Sequence, residues 1–146
     1  MFKLLMGSCI VMSATFLVAQ DSHIATGTWS WNGKDGAGGL LLVFQEGKEA
    51  RFQLECNRGG PSYNSGFLEG KMTIHGSSGV FKSNENGPCE ILFEFRKNRV
   101  LVKHNNEAWE CGFGYGVLAT GDYKCNSHKR PKFYMGDSRN SETRRE

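Results

Sequence analysis

The chain reads Cys89-Glu90-Ile91-Leu92-Phe93-Glu94-Phe95 in its second half, and this stretch decides the fold class. The four residues at odd positions are apolar and share one parity, whereas two of the three between them are glutamates. Side chains of a β-strand point alternately to the two faces of a sheet, so this pattern indicates a half-buried strand.

Similar rows of apolar residues recur along the chain, separated by turn-forming pairs such as Asn32-Gly33 and Asn86-Gly87. The spacing between successive rows is roughly 8–12 residues, which is typical of all-β sandwiches and barrels. The rows are Leu40, Leu42 and Phe44; Phe52, Leu54 and Cys56; Leu68, Met72 and Ile74; Val100 and Val102; Trp109 and Cys111; and Val117, Ala119, Tyr123 and Cys125.

The sequence therefore predicts an all-β protein, a single antiparallel β-barrel or curved meander of about eight strands, stapled by disulfides. No window has a sustained 3.6-residue apolar period, so we expect little helix. The predicted core is Leu42, Phe44, Phe52, Leu54, Ile91, Phe93, Val100 and Val102.

The first residues have the composition of an export signal. Lys3 is followed by an apolar stretch to Ala19, and Leu17 and Ala19 suit the −3 and −1 positions of a cleavage site. We expect a signal peptide over 1–19, a barrel domain over 20–125 and a basic, disordered tail over 126–146. No later stretch is apolar enough to span a bilayer, so, together with the export signal, we expect a soluble protein that is secreted or otherwise lies outside the cytoplasm.

Charge is divided unevenly along the chain. Residues 21–125 carry 11 basic and 12 acidic side chains, and residues 126–146 carry six basic and three acidic ones. A nearly neutral body is unlike the basic face of a nucleic-acid-binding domain, so no nucleic-acid partner is expected.

Four cysteines remain after the predicted signal: Cys56, Cys89, Cys111 and Cys125. In an exported protein such residues either pair or pack as small hydrophobes. Four cysteines allow three pairings, of which we favour Cys89–Cys111 with Cys56–Cys125 and hence no free thiol. The closest two are fourteen residues apart (Cys111 and Cys125), which is too far for a C-x2-C metal motif, so neither a metal nor another cofactor is expected.

Catalytic motifs are weak throughout the sequence. The glycine-rich segment 32–39 lacks the G-K-[ST] ending of a phosphate-binding loop. The histidines, His23, His75, His104 and His128, lie at predicted turns and ends and favour surface positions. A glycosidase would need two facing carboxylates, but the glutamates of the strands fall on the outward parity. We therefore expect a protein that is not an enzyme.

Two loops are the candidate binding sites. The segment 57–66 is long for a hairpin and contains the residue types that loops use to bind partners. The alternative is an ordinary connection. The segment 112–116 alternates glycine with aromatic residues, either as a packed bulge or as a platform for a ligand. The candidate binding residues are Arg58, Ser62, Tyr63, Asn64, Phe113 and Tyr115.

Three motifs resemble those of small exported bacterial proteins, many without an assigned activity. They are Gly27-Thr28-Trp29, the C-x-I-x-F-x-F run from Cys89 to Phe95, and the C-G-F-G-x-x-V-x-x-x-G-x-Y run from Cys111 to Tyr123. Some of these proteins are similar to periplasmic lysozyme inhibitors, which are small β-barrels with a disulfide. The resemblance implies a Cys89–Cys111 link and a Gram-negative periplasm.

One motif departs from that pattern. The best-known lysozyme inhibitors insert a loop with Ser-Gly followed by Tyr, whereas this chain has Tyr63-Asn64-Ser65-Gly66, in reversed order. No inhibitory residue is therefore carried over. We expect a monomeric, non-catalytic binding module for a lysozyme-like protein or a small ligand; the alternatives are a structural envelope protein and a small hydrolase.

Overall fold

The computed structural model describes residues 25–105 and 108–134. The predicted signal peptide and the end of the predicted tail, from residue 135, lie outside the described residues. Within the described part of the chain, no helix has the length and apolar character needed to cross a membrane.

Eight antiparallel strands follow one another and close into a barrel, so the predicted fold class is confirmed. Closure comes from β1, which pairs with both β2 and β8. The strands are β1 (Gly27–Asn32), β2 (Gly38–Glu46), β3 (Glu49–Asn57), β4 (Ser65–His75), β5 (Ser78–Ser83), β6 (Cys89–Arg96), β7 (Arg99–His104) and β8 (Gly121–Ser127).

Large rings fill the interior of the barrel, and glycines on neighbouring strands make room for them. The Phe52 ring lies 5.0 Å from that of Phe81 and 5.3 Å from that of Phe93, centroid to centroid. A Cβ on Gly70 would come within 2.6 Å of Phe81, and one on Gly39 within 2.5 Å of the Tyr123 hydroxyl. Side chains just fill the interior of an eight-stranded barrel, so each ring needs a small neighbour.

Six of the eight predicted core residues are confirmed on the inner face. They are Phe52, Leu54, Ile91, Phe93, Val100 and Val102.

The predicted inward row of β2, Leu40, Leu42 and Phe44, was wrong by one residue. The run Leu40–Phe44 is apolar throughout, so alternation along it does not show which residues face inward. The structure pairs Leu41 with Leu54 and Val43 with Phe52, so Leu41 and Val43 face inward. Leu42 is buried but lies on the outer face, opposite Gln53.

The outer face of β2 and β3 is covered by residues 128–134, which we call the C-terminal strap. The Arg130 guanidinium lies 4.0 Å from the centroid of the Phe44 ring, and that of Arg51 lies 4.5 Å from the Phe133 ring. The backbone N–H of Tyr134 donates to Gln53 Oε1 at 2.8 Å. These contacts shield the outer apolar strip, so the part of the predicted tail up to residue 134 packs on the barrel.

Two other predicted strand segments belong to the connection between β7 and β8. Residues Ala108–Cys111 form a 3-10 turn in place of a strand. Val117 and Ala119 are buried, but they precede β8, which starts at Gly121 and continues past the predicted boundary at 125. Parity identified Cys111, Val117 and Ala119 as interior without fixing the backbone that carries them, but it was wrong for Trp109, which is exposed.

Phe93→Ala is expected to lower the free energy of unfolding by about 3–5 kcal/mol, because the ring is fully enclosed by other core side chains. The control is Leu101→Ala on the outward parity of β7, which should cost about 1 kcal/mol. Urea denaturation measures both values. Equal losses for the two variants would contradict the assignment of inner and outer faces.

Candidate functional site

The two ends of the barrel differ in the length of their connections. At one end, which we call the turn end, β2–β3, β4–β5 and β6–β7 are joined by residues 47–48, 76–77 and 97–98 alone. At the other, the loop end, the connections are residues 33–37, 58–64, 84–88 and 105–120. Binding residues concentrate on loops that a rigid scaffold holds, so the loop end is the candidate site.

The structure brings the two predicted binding segments together at the loop end. Asn64 donates a hydrogen bond from Nδ2 to the backbone carbonyl of Tyr115 at 2.8 Å. The backbone N–H of Gly114 donates to the carbonyl of Ser65 at 3.1 Å. The segments are far apart in the sequence, and only barrel closure makes them one surface.

An arginine and a tyrosine stand at the junction of the two segments. The Arg58 guanidinium lies 5.7 Å from the centroid of the Tyr115 ring, and the Tyr115 side chain is 84% exposed. Arg58 also lies against Gly116, where a Cβ would be 3.1 Å from its guanidinium. An exposed cation–π contact of this kind contributes about 0.5–1 kcal/mol, enough to orient a guanidinium that remains open to solvent.

Tyr63 is presented by a loop that is tied to its neighbour. Its side chain is 68% exposed, and its backbone N–H donates to the Gly59 carbonyl at 2.9 Å. The backbone N–H of Gly60, the residue after Gly59, donates to the carbonyl of Asp35 in the β1–β2 connection at 2.8 Å. Ser62, beside Tyr63, is also exposed. The 58–64 loop is therefore held on both sides.

Phe113 differs from the other predicted binding residues, because it is only 4% exposed and belongs to the core. Its ring occupies the space above Gly66, where a Cβ would be 2.4 Å away, and meets the His104 ring edge-on at 5.8 Å. The burial of Phe113 therefore agrees with the packed alternative for this segment, in which the ring anchors the 105–120 connection to the barrel.

Sequence reasoning missed a cleft beside the two loops. It has a volume of about 510 Å³ and lies between β3, β4, the 105–120 connection and the C-terminal strap. The exposed rings of Trp109 and Tyr134, at 62% and 63%, belong to segments predicted as strand and as tail. The available sign of the cleft in the sequence was Tyr134, an aromatic residue within the charged C-terminal segment. The cleft is lined by Glu55, Ser65, Gly66, Phe67, Gly112 and Tyr134.

A buried hydrogen-bond network joins Cys56, Tyr123 and Ala119 near the point where β3 leads into the 58–64 loop. The Tyr123 hydroxyl donates to the Ala119 carbonyl at 2.9 Å, and Cys56 Sγ lies 3.4 Å from the same hydroxyl oxygen. Since Tyr123 has one proton to give, the Cys56 thiol is the donor to it. Burial raises the pKa of the Cys56 thiol to about 11 and also raises the pKa of Tyr123.

The expected pairing of cysteines is half right. The Cys89–Cys111 disulfide is present, with a Cα–Cα distance of 4.9 Å, and it ties the 105–120 connection to the start of β6. Cys56 and Cys125 are free, so the Cys56–Cys125 link was wrong. The β8 residue that reaches Cys56 is Tyr123, and Cys125 lies two residues further along the strand, about 7 Å away. Its sulfur contacts His128 Nε2 at 3.3 Å.

Two strand glutamates have the wrong electrostatic setting for a general acid. Glu90 accepts hydrogen bonds from Lys82 and Asn105, and Glu94 accepts one from Arg96. These bonds favour the carboxylate, so the pKa of each group is lowered. A glycosidase acid needs the opposite shift.

Comparisons with protein-family models, with curated proteins and with solved structures returned no match to this chain. Function must therefore be argued from the geometry of the loop end.

Because its pKa is higher in the folded protein than in the unfolded chain, Cys56 stabilises the fold below about pH 9 and loses that contribution as the pH rises toward 11. Between pH 8 and pH 10 the loss should be about 1 kcal/mol. Urea denaturation at both values should show this loss in the parent and in Cys125→Ala. Cys56→Ala should lose less stability, because only Tyr123 and Cys125, whose pKa values are also raised, then contribute. An equal loss in all three proteins would contradict the assignment to Cys56.

The free cysteines should differ in reactivity with a disulfide reagent at neutral pH. Cys125 is partly exposed and should react in the folded protein, whereas Cys56 is buried and should react only after denaturation. Peptide mapping locates the label, and Cys89 and Cys111 should remain unlabelled until a reductant is added. Labelling of Cys56 and Cys125 at the same rate in the native state would be the contrary result.

Proposed function

We propose that this protein is an exported, non-catalytic binding module that captures a protein partner with the loop end of its barrel. Lysozyme-like proteins are the first partners to test. The partner surface is centred on Arg58, Tyr63 and Tyr115, and the barrel serves as the scaffold.

The observation that carries this proposal is the Arg58–Tyr115 pair, with Asn64 locking the two segments that supply it. Arginine and tyrosine are the residue types that dominate binding energy when they lie near the centre of an interface. Here both are solvent-exposed and oriented before any partner arrives. Such pre-organisation lowers the entropy lost on binding.

The scaffold supports the same function. Residues 58–64 are fixed by Gly60 to the neighbouring loop, and residues 105–120 are fixed by the Cys89–Cys111 disulfide and by the buried Phe113 ring. The loop end therefore presents its exposed rings from a restrained backbone. The cleft beside Phe67 and Tyr134 extends the surface with a concave region.

Lysozyme is the first partner to test because of the sequence motifs described above. The implied barrel and the implied Cys89–Cys111 link are both features of this protein. The order Tyr63-Asn64-Ser65-Gly66 differs from that of the known inhibitory loop, so a lysozyme would be bound through contacts of another geometry.

The test is binding of purified lysozymes from several structural classes to the immobilised protein, with lysis of a bacterial cell-wall suspension as a second measurement. We expect saturable binding to at least one class. Arg58→Ala/Tyr115→Ala should raise the Kd by about 30-fold to about 1,000-fold, since one truncation at a binding centre costs about 2 kcal/mol and the losses of two residues in contact are not simply additive.

The matched control is Arg96→Ala at the turn end, which removes an exposed arginine from its pair with Glu94 and should leave the Kd unchanged. Equal affinities for all three proteins would refute the site. Absence of binding to every lysozyme would refute the partner class and leave a small ligand, a structural role in the envelope and a small hydrolase as the alternatives.

A further inference from the structure

Three donor atoms for a soft metal ion converge below the 105–120 connection. Cys89 begins β6, His104 ends β7 and Cys111 ends the 3-10 turn. Their two sulfurs and an imidazole nitrogen all lie within 4.8 Å of one another. Cys111 Sγ is 3.1 Å from His104 Nε2, so the imidazole already points at the sulfur pair. Sequence spacing gave no sign of this set, because the strands assemble it.

The two sulfurs are buried, and the imidazole is partly so. Each of the two cysteines is 3% exposed, and His104 is half-buried beneath the edge of the Phe113 ring. A ring on one side of an imidazole limits its rotation, so His104 Nε2 keeps its direction toward Cys111. The strands therefore hold the three donors close together, with the two sulfurs joined as the Cys89–Cys111 disulfide.

The number and type of donors select the ion. Zinc takes four ligands and the described residues supply three ligand atoms at this point, so a zinc ion here would need a water molecule as its fourth ligand. Two thiolates and one imidazole suit Cu(I), a soft ion that accepts three ligands. Calcium and magnesium take oxygen ligands and are excluded by the chemistry of the set.

We infer that Cys89, Cys111 and His104 form a redox-gated site for one Cu(I) ion, closed in the disulfide form and open in the dithiol form. A dithiol reductant transfers two electrons and two protons to the disulfide, giving two thiols and one oxidised dithiol. The thiols then release two protons as their thiolates bind Cu(I), and His104 Nε2 supplies the third ligand.

The position of the pair in the fold permits this change. On reduction the two sulfurs must separate to admit the ion. Cys111 lies in the 105–120 connection, outside the sheet, so its displacement breaks no ladder of the barrel. The disulfide and the metal would each link that connection to β6. This inference is independent of the partner proposed for the loop end.

The test uses the full chain carrying Cys9→Ser, Cys56→Ser and Cys125→Ser, which leaves Cys89 and Cys111 as the two cysteines of the sequence. The protein is reduced with dithiothreitol, desalted under nitrogen and mixed with the coloured Cu(I)–bicinchoninate complex. The reduced protein should remove about one equivalent of Cu(I) from the chelator, and the oxidised protein none. Uptake should strengthen as the pH rises, because thiol protons are displaced.

His104→Asn should weaken competition with the chelator by at least about tenfold, because one of three ligands is lost. His75→Asn is the matched control: this histidine is exposed at the end of β4 and should leave uptake unchanged. Circular dichroism of every variant in the oxidised form checks that the fold is retained.

Failure of the reduced protein to take Cu(I) would overturn the inference. So would equal uptake by the parent and His104→Asn, which would indicate a simple dithiol without the imidazole. If reduction itself unfolds the chain, Cu(I) must restore the β-sheet spectrum, since binding and folding are then linked. A spectrum that stays unfolded would likewise overturn it.

Discussion

Closure of the sheet through the pairing of β1 with β8 is the constraint on which the remaining structure depends. The interior of an eight-stranded barrel is just wide enough for side chains to fill, so the size of each inward side chain is limited. The chain meets it by setting large rings against glycines: Phe81 against Gly70, and Tyr123 against Gly39. Closure also pairs the first strand with the last, so neither terminal strand is left as an open sheet edge.

The same closure sorts the connections into two groups. With antiparallel neighbours, successive connections alternate between the ends, and in this chain the short turns and the long loops alternate in step. One end becomes a rigid base of tight turns. The other collects the long connections, and with them Tyr63, Trp109 and Tyr115, three of the most exposed aromatic rings of the described chain. The candidate interaction surface thus lies at the loop end because the long connections all lie there.

Cysteine is used in three physical roles within one small barrel. Cys89 and Cys111 covalently join the longest connection to the sheet and stand beside His104. Cys56 is a buried hydrogen-bond donor to Tyr123, in a setting where a thiolate would be costly. Cys125 is partly exposed near the turn end, in contact with His128. The surroundings of each sulfur, more than its place in the sequence, fix its chemistry.

Alternation along β3, β6 and β7 was sufficient to determine the all-β class and the inner residues Phe52, Phe93 and Val102, because period-two burial leaves a direct trace in sequence. The uninterrupted apolar run in β2 left no such trace. Only the pairing with β3 and the cover by the C-terminal strap decided that Leu42 faces outward. The sequence also marked Arg58, Tyr63 and Tyr115 as loop residues. Their assembly, the burial of Phe113, the free state of Cys56 and the convergence of Cys89, His104 and Cys111 required the tertiary structure, because contacts between distant segments depend on which strands become neighbours.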